Sequence, residues 1–137
     1  MKISFSPPFI DEDVIAEVVS TLRSGWITTG PKVKALEYEI SSLIGGVPVL
    51  CVNSWRSGAV MTLRWMGLKE DDEVIVPAYT YGATALAVIR AGAKPVMVDS
   101  GTDFNICVEA IKKAISPKTK AIYNYPQILD NNIIRIK

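Results

Sequence analysis

Histidine is absent from the 137-residue chain. This absence excludes catalysis by a Ser-His-Asp or Cys-His arrangement within one chain, and it excludes the common histidine-based metal sites. Charge of one sign is also lacking, because fifteen basic side chains oppose fourteen acidic ones and leave a formal charge of +1. Nucleic acids and anionic membranes attract proteins through a strongly basic surface, so we expect neither as a partner.

Cysteine is scarce, and the two present, Cys51 and Cys107, do not have the spacing of metal ligands. We therefore expect two reduced, half-buried thiols in a cytosolic protein, and no metal site. The first eight residues contain one lysine and no apolar segment of the secretory type. No apolar run approaches the length of a membrane span. These absences together predict a soluble, cytoplasmic chain.

The hydrophobic pattern that is present changes along the chain. Apolar residues at helical spacing predict one helix over residues 11–24, which ends at Gly25, and a second that begins at Pro31 and ends before Gly45. Strands are then predicted at residues 47–52, 73–76, 95–98 and 120–123, and helices at residues 58–66, 83–90 and 108–115. Apolar strands that alternate with helices are typical of a parallel sheet covered on both faces. The chain is therefore predicted to have an α/β fold.

The first candidate site is the loop at residues 53–58, which precedes a predicted helix. A helix N-terminus offers unpaired backbone N–H groups and the positive end of the helix dipole. Ser54 and Ser57 add hydroxyl groups, Arg56 adds a positive charge, and Gly58 permits close approach of a ligand. The pattern suits a bound phosphate. A serine-capped helix that binds no ligand is the alternative interpretation.

The second candidate site follows the second predicted strand, at the edge of the sheet where open α/β folds bind ligands. Tyr79 or Tyr81 can stack on a planar heterocycle there, and Thr80 can donate a hydrogen bond nearby. Alternatively, the two tyrosines pack around the end of the strand. Asp99 ends the third strand at the same edge, where it either contacts a ligand or forms a turn or helix cap.

Two further features are interpreted as structural. The acidic run at residues 70–73 precedes a strand at the opposite edge of the sheet, so it is predicted to be a solvated turn and not a metal site. Trp55, Arg64 and Trp65 suggest stacking on nucleic-acid bases, but the balanced charge argues against that role. Trp65 is expected in the core or in a subunit contact.

Four segments together are similar to a known family. They are SGWITTGPKV at residues 24–33, VNS at 52–54, DEVIVPAYTY at 72–81 and GAKPVMVD at 92–99. In this order and spacing they resemble the DegT/DnrJ/StrS-type sugar aminotransferases, over about residues 1–122. The resemblance implies fold type I of the pyridoxal-phosphate (PLP) transferases, with a three-layer, parallel-sheet large domain that is incomplete in this chain.

The resemblance also implies cofactor-binding residues. The family's Gly-Thr-Ala phosphate turn falls on Trp55, Arg56 and Ser57, next to Ser54. The aromatic residue that stacks on the pyridine ring falls on Tyr81. The expected amino donor is glutamate and the expected acceptor is a nucleotide-linked keto-sugar of amino-sugar or polysaccharide biosynthesis. The intact family is expected to be dimeric.

The catalytic residues of the family have no counterpart in this chain. The resemblance implies that the Schiff-base lysine, and the aspartate that pairs with the pyridine nitrogen, lie well past residue 137. Transamination requires that lysine as the covalent anchor and as the base that moves the proton. We therefore expect a truncated chain that is inactive alone. The alternative is a non-catalytic dimerisation or interaction fragment of the same fold. A different nucleotide-binding domain is disfavoured, because no Gly-x-Gly-x-x-Gly follows the first strand.

Residues 123–137 form an atypical tail. Eleven of the sixteen residues from position 122 onward are Ile, Asn, Tyr or Lys, all of which A and T alone can encode. The hypothesis is a coding-frame shift near Ile122, and the alternative is an ordinary polar tail. We therefore assign residues 1–122 to the amino-terminal part of the large domain and the rest to this tail.

Overall fold

The computed structural model describes residues 8–124. The chain divides into two units, Met1–Cys51 and Val52–Lys137. Of the tail predicted at residues 123–137, only Tyr123 and Asn124 belong to the described part, so the frame-shift hypothesis lies outside the described residues.

The first unit contains two helices, α1 (Glu12–Arg23) and α2 (Pro31–Leu43). Helix α1 begins where Asp11 accepts a hydrogen bond from the Val14 N–H at 2.9 Å, and Gly25 follows its end with φ of +73°. Pro31 occupies the first turn of α2, where its missing N–H costs nothing. Both helices therefore form where the apolar spacing and the capping residues predicted them.

The strand predicted at residues 47–52 does not form. This segment is irregular, and the Cys51 N–H donates to the Glu37 carboxylate at 2.8 Å instead of to a neighbouring strand. Pro48 cannot donate to a ladder. Among the described strands, the central one already has a partner on each side. The apolar character of residues 47–52 favours a strand, but this segment pairs with none of the described strands.

The second unit is an alternation of helices and parallel strands. Its elements are α3 (Trp55–Trp65), β1 (Glu73–Pro77), α4 (Ala83–Ala91), β2 (Lys94–Val98), α5 (Val108–Ala114) and β3 (Thr119–Ile122). The strand order is β2-β1-β3, and both pairings are parallel. Glu73 pairs with Lys94 on one side and with Thr119 on the other, with an irregularity before Val74. The predicted α/β fold is confirmed.

The central strand β1 separates two apolar layers. Because side chains alternate along a strand, Val74 and Val76 pack on one face with Leu63 of α3 and Val88 of α4. Ile75 packs on the other face, in a second cluster. That cluster contains Val98 and Ile106, with Ile111 of α5 and Ile122 packed against it. Helices thus cover both faces of the sheet, which confirms the predicted three-layer arrangement.

Replacement of Leu63 tests this core. Leu63 is fully buried against β1, so Leu63→Ala removes packing and leaves a cavity. We expect it to lower the free energy of unfolding by about 2–5 kcal/mol. Leu86→Ala, in the neighbouring helix α4, is the matched control, because Leu86 is 46% exposed. Urea unfolding followed by circular dichroism measures both variants, and equal losses would contradict the assignment of Leu63 to the core.

Candidate functional site

Two serine hydroxyls lie at the N-terminus of α3. Ser54 is the N-cap, and its Oγ accepts a hydrogen bond from the Ser57 N–H at 3.2 Å. The two hydroxyl oxygens are 2.9 Å apart, and the Ser57 hydroxyl donates to Asn53 Oδ1 at 2.7 Å. The sequence therefore builds a serine cap, as one interpretation predicted. The same hydrogen bonds hold both hydroxyls at the positive end of the helix dipole, where an anion is stabilised.

The two residues between these serines belong to different surroundings. The Trp55 ring contacts the edge of the Tyr123 ring, with centroids 5.4 Å apart. Partial burial raises the pKa of the Tyr123 phenol above its usual value. Arg56 is half-buried, and its Nε is buried without a hydrogen-bond partner among residues 8–124. The first turn of α3 thus directs an aromatic ring and a guanidinium group into separate neighbourhoods.

A cavity of about 290 Å³ lies between the start of α3 and the start of α4. Its lining consists of Trp55, Thr80, Tyr81, Ala83 and Thr84, and we call it the tyrosine cavity. The hydroxyls of Thr80 and Thr84 are 3.0 Å apart. Tyr81 is 79% exposed, so its ring is available to a ligand. The volume is close to the lower end of the usual range for small-molecule pockets, about 300 Å³.

Tyr79 behaves as the packing alternative predicted, and Tyr81 does not. The Tyr79 ring lies 5.5 Å from the ring of Phe104, which has a left-handed φ of +62°. Asp99 is exposed, and its carbonyl accepts the Cys107 N–H at 3.1 Å, which closes the loop between β2 and α5. This contact uses the backbone of Asp99, so the two interpretations of its carboxylate stay predictions.

A second cavity, of about 630 Å³, lies along α3. Arg56, Ser57, Val60, Met61 and Arg64 of α3 line it together with Arg90 of α4, and we call it the arginine cavity. The structure therefore separates the predicted site residues, because Tyr81 lines one cavity whereas Arg56 and Ser57 line the other. Sequence reasoning missed Arg90. The sequence does carry a partial signal, since positions 56, 60 and 64 repeat every four residues along one helix face.

The acidic run at residues 70–73 forms separate contacts. Asp71 pairs with Lys94 at 2.7 Å, which lowers the pKa of Asp71 and raises the pKa of Lys94. Asp72 accepts the Lys69 N–H, and Glu73 accepts the Ser116 hydroxyl. Within residues 8–124, no group of three His, Cys, Asp or Glu residues is placed to hold a metal ion.

Three remaining predictions concern single residues and the membrane. Cys51 and Cys107 are free and half-buried, as expected. Trp65 is 86% exposed, so it does not belong to the core, and the alternative expectation of a subunit contact stays a prediction. None of the helices described between residues 8 and 124 has the length and apolar character required to cross a membrane.

Known proteins are similar to this chain in sequence, and some of them have solved structures that also share its fold. An uncharacterised protein of Methanocaldococcus jannaschii is 42% identical over 126 residues, which are 89% of this chain and 33% of that protein. A structure described as a sugar aminotransferase from Streptococcus pneumoniae, in its PMP form, superposes with a TM-score of 0.80 at 46% identity. The match covers 90% of this chain and 32% of that one.

A structure from Escherichia coli is more distant. It is a GDP-4-keto-6-deoxy-D-mannose-3-dehydratase with bound hydrated PLP, 26% identical, with a TM-score of 0.76 over 86% of this chain and 32% of that one. The chain thus spans about a third of the length of these relatives. These neighbours have fold type I of the PLP-dependent aminotransferases, and the family implies PLP as cofactor. The model of the DegT/DnrJ/EryC1/StrS aminotransferase family matches residues 8–124, and the chain belongs to that family.

Proposed function

We propose that this chain supplies the phosphate-binding and ring-stacking part of the cofactor site of a PLP-dependent sugar aminotransferase. The observation that carries the proposal is the tyrosine cavity, where the exposed ring of Tyr81 meets the first residue of α3. The N-terminus of that eleven-residue helix is the strongest anion-binding position that its backbone offers. The phosphate ester of a planar ring requires an anion-binding position next to a surface on which the ring can stack.

The residues present fit such a group. Ser54 and Ser57 would each donate a hydroxyl to a phosphate oxygen in exchange for their present hydrogen bonds to each other and to Asn53, and α3 adds its dipole. Tyr81 offers a flat apolar surface for the ring, with the hydroxyls of Thr80 and Thr84 beside it. The cofactor, when bound, supplies an electron sink for amino-group chemistry. This part of the chain binds and orients that group.

Arg56 takes a different part in the proposal. It stands where the family's phosphate turn has threonine, so a guanidinium replaces a hydroxyl donor. Its half-buried side chain lines the arginine cavity, beside Ser57. We propose that Arg56 acts on the cofactor phosphate mainly through its charge, which needs no direct contact.

Further parts of the proposal rest on the family. We propose that the whole protein transfers the amino group of glutamate to a nucleotide-linked keto-sugar, in amino-sugar or polysaccharide biosynthesis. Identity of 46% to a sugar aminotransferase, against 26% to a sugar dehydratase, favours amino transfer over dehydration. We also propose a cytoplasmic homodimer. The two free thiols support the reducing compartment.

A non-catalytic interaction fragment is the second candidate. Helix α1 has no buried residue, and its apolar side chains include Val18 at 55% and Leu22 at 62% exposure. Exposed apolar faces of this kind often mark association surfaces. The two candidates differ in one measurable property, because a fragment that only associates binds no pyridoxine derivative at α3.

Replacement of Ser57 tests the phosphate-binding part of the proposed site. Pyridoxine 5′-phosphate is a suitable probe, because it has no aldehyde and cannot react with lysine. We expect Ser57→Ala to weaken its binding about tenfold, since hydrogen bonds to charged groups are among the strong ones. Binding of phosphate-free pyridoxine should not change.

Isothermal titration calorimetry measures both affinities. Ser42→Ala is the matched control, because Ser42 is an exposed helical serine whose hydroxyl donates to the Tyr38 carbonyl. If Ser57→Ala weakened pyridoxine and its phosphate equally, the assignment of Ser57 to the phosphate would be wrong.

Replacement of Tyr81 tests the ring-stacking part of the proposed site. We expect Tyr81→Ala to weaken pyridoxine 5′-phosphate binding about fivefold through loss of stacking, whereas Tyr81→Phe keeps the ring and the affinity. Tyr38→Ala is the control, because Tyr38 is 74% exposed on α2. The same calorimetry applies. Loss of affinity in Tyr81→Phe as large as that in Tyr81→Ala would contradict a stacking role.

Amino transfer is proposed for the whole protein and not for these 137 residues alone, because the family resemblance implies that the covalent lysine lies well past residue 137. We expect pyridoxamine phosphate to form from PLP and glutamate at the same rate with the chain as without it. Liquid chromatography of the products measures that rate. Formation that increased with the concentration of the chain would contradict the expectation.

A further inference from the structure

The arginine cavity has a strongly one-sided charge. Three of its six lining residues are arginines, Arg56 and Arg64 from α3 and Arg90 from α4, and none of the six is acidic. Three positive groups around one solvent-filled space repel each other unless an anion enters it. The chain as a whole has a formal charge of only +1, so this concentration of charge is local.

These arginines have no acidic partners within the described part of the chain. The ion pairs found between residues 8 and 124 all use lysines, and none involves an arginine of the cavity. Arg64 is oriented by a hydrogen bond from Nη2 to the Arg90 carbonyl, at 2.9 Å. The Nε of Arg56 is buried and lacks an acceptor among residues 8–124. A buried donor without a partner is costly, so an acceptor from outside would stabilise it.

The spacing of the arginines defines the shape of the anion. Arg56 is in the first turn of α3 and Arg64 in the last, and eight residues of helix separate their Cα atoms by about 12 Å. The cavity volume of about 630 Å³ leaves room for more than one phosphate group. Val60 and Met61 line the stretch between them. The cavity therefore suits an elongated molecule with more than one anionic group.

We propose that the arginine cavity binds a chain of linked phosphate groups, either free polyphosphate or the phosphate chain of a nucleotide. Arg64 and Arg90 hold one end, and Arg56 with Ser57 holds the other. Arginine suits this task because its planar guanidinium group presents several donors to phosphate oxygens. The cavity shares Arg56 and Ser57 with the proposed cofactor site, but Arg64 and Arg90 lie outside that site, so the proposal goes beyond it.

The test uses the full chain with inorganic tripolyphosphate, orthophosphate and ATP as probes in calorimetry. We expect tripolyphosphate to bind at least about tenfold more tightly than orthophosphate, since it reaches more arginines. Arg90→Gln and Arg64→Gln should each weaken it about tenfold or more. Arg90→Gln retains the backbone carbonyl that Arg64 uses. Arg23→Gln, at the end of α1, is the control and should bind normally.

The outcomes distinguish this proposal from an anion site at the N-terminus of α3 alone, and they identify the source of the phosphate chain. ATP binding as tight as tripolyphosphate assigns the source to nucleotides, and much weaker ATP binding assigns it to free polyphosphate. Binding that is unchanged in Arg64→Gln and Arg90→Gln would place the anion at the N-terminus of α3 alone and overturn the proposal. So would an absence of tripolyphosphate binding. Pyridoxine 5′-phosphate affinity in Arg90→Gln should stay normal, so the cofactor site is tested independently.

Discussion

Burial of strand β1 is the constraint on which the second unit depends. Val74, Ile75 and Val76 are completely buried, and they alternate between two faces that each require their own apolar cover. That requirement brings α3 and α4 to one face and α5 to the other. The helix that carries the serine cap and the helix that follows Tyr81 are therefore neighbours because of the core, and the tyrosine cavity is the space between their first turns.

Local signals in the sequence account for most of the described elements. The apolar run that follows Glu73 becomes the central strand β1, which pairs with β2 along its length and with β3 over residues 73–75. Asp11 and Pro31 mark helix starts by chemistry that acts within a few residues, so their prediction needed no tertiary information. The third helix was predicted from residue 58, but it begins at Trp55, after the Ser54 cap. The run at residues 47–52 has a similar apolar character, but a strand exists only with a neighbour, and sequence alone does not supply that neighbour.

The candidate site was predictable to the same degree. Ser54 and Ser57 meet because they are three residues apart at a helix start. Tyr81 shares a cavity with Trp55, the first residue of α3, because α3 and α4 pack on the same face of the sheet. Sequence could not show that Arg56 enters a different cavity from Tyr81. It also could not show Arg90 beside Arg64, because 26 residues separate them and the packing of α3 on α4 creates the contact.

The two faces of α3 suggest how one helix can serve two anions. Its N-terminus is positive through the backbone dipole, an effect that fades within the first turn. Beyond that turn only side chains can supply positive charge, and Arg64 does so near the opposite end with Arg90 from α4. Because Arg56 belongs to the first turn and lines the arginine cavity, its charge acts on both regions. If both proposed anions bind, each would neutralise part of the Arg56 charge that the other uses, whereas Arg64 and Arg90 would act on one of them alone.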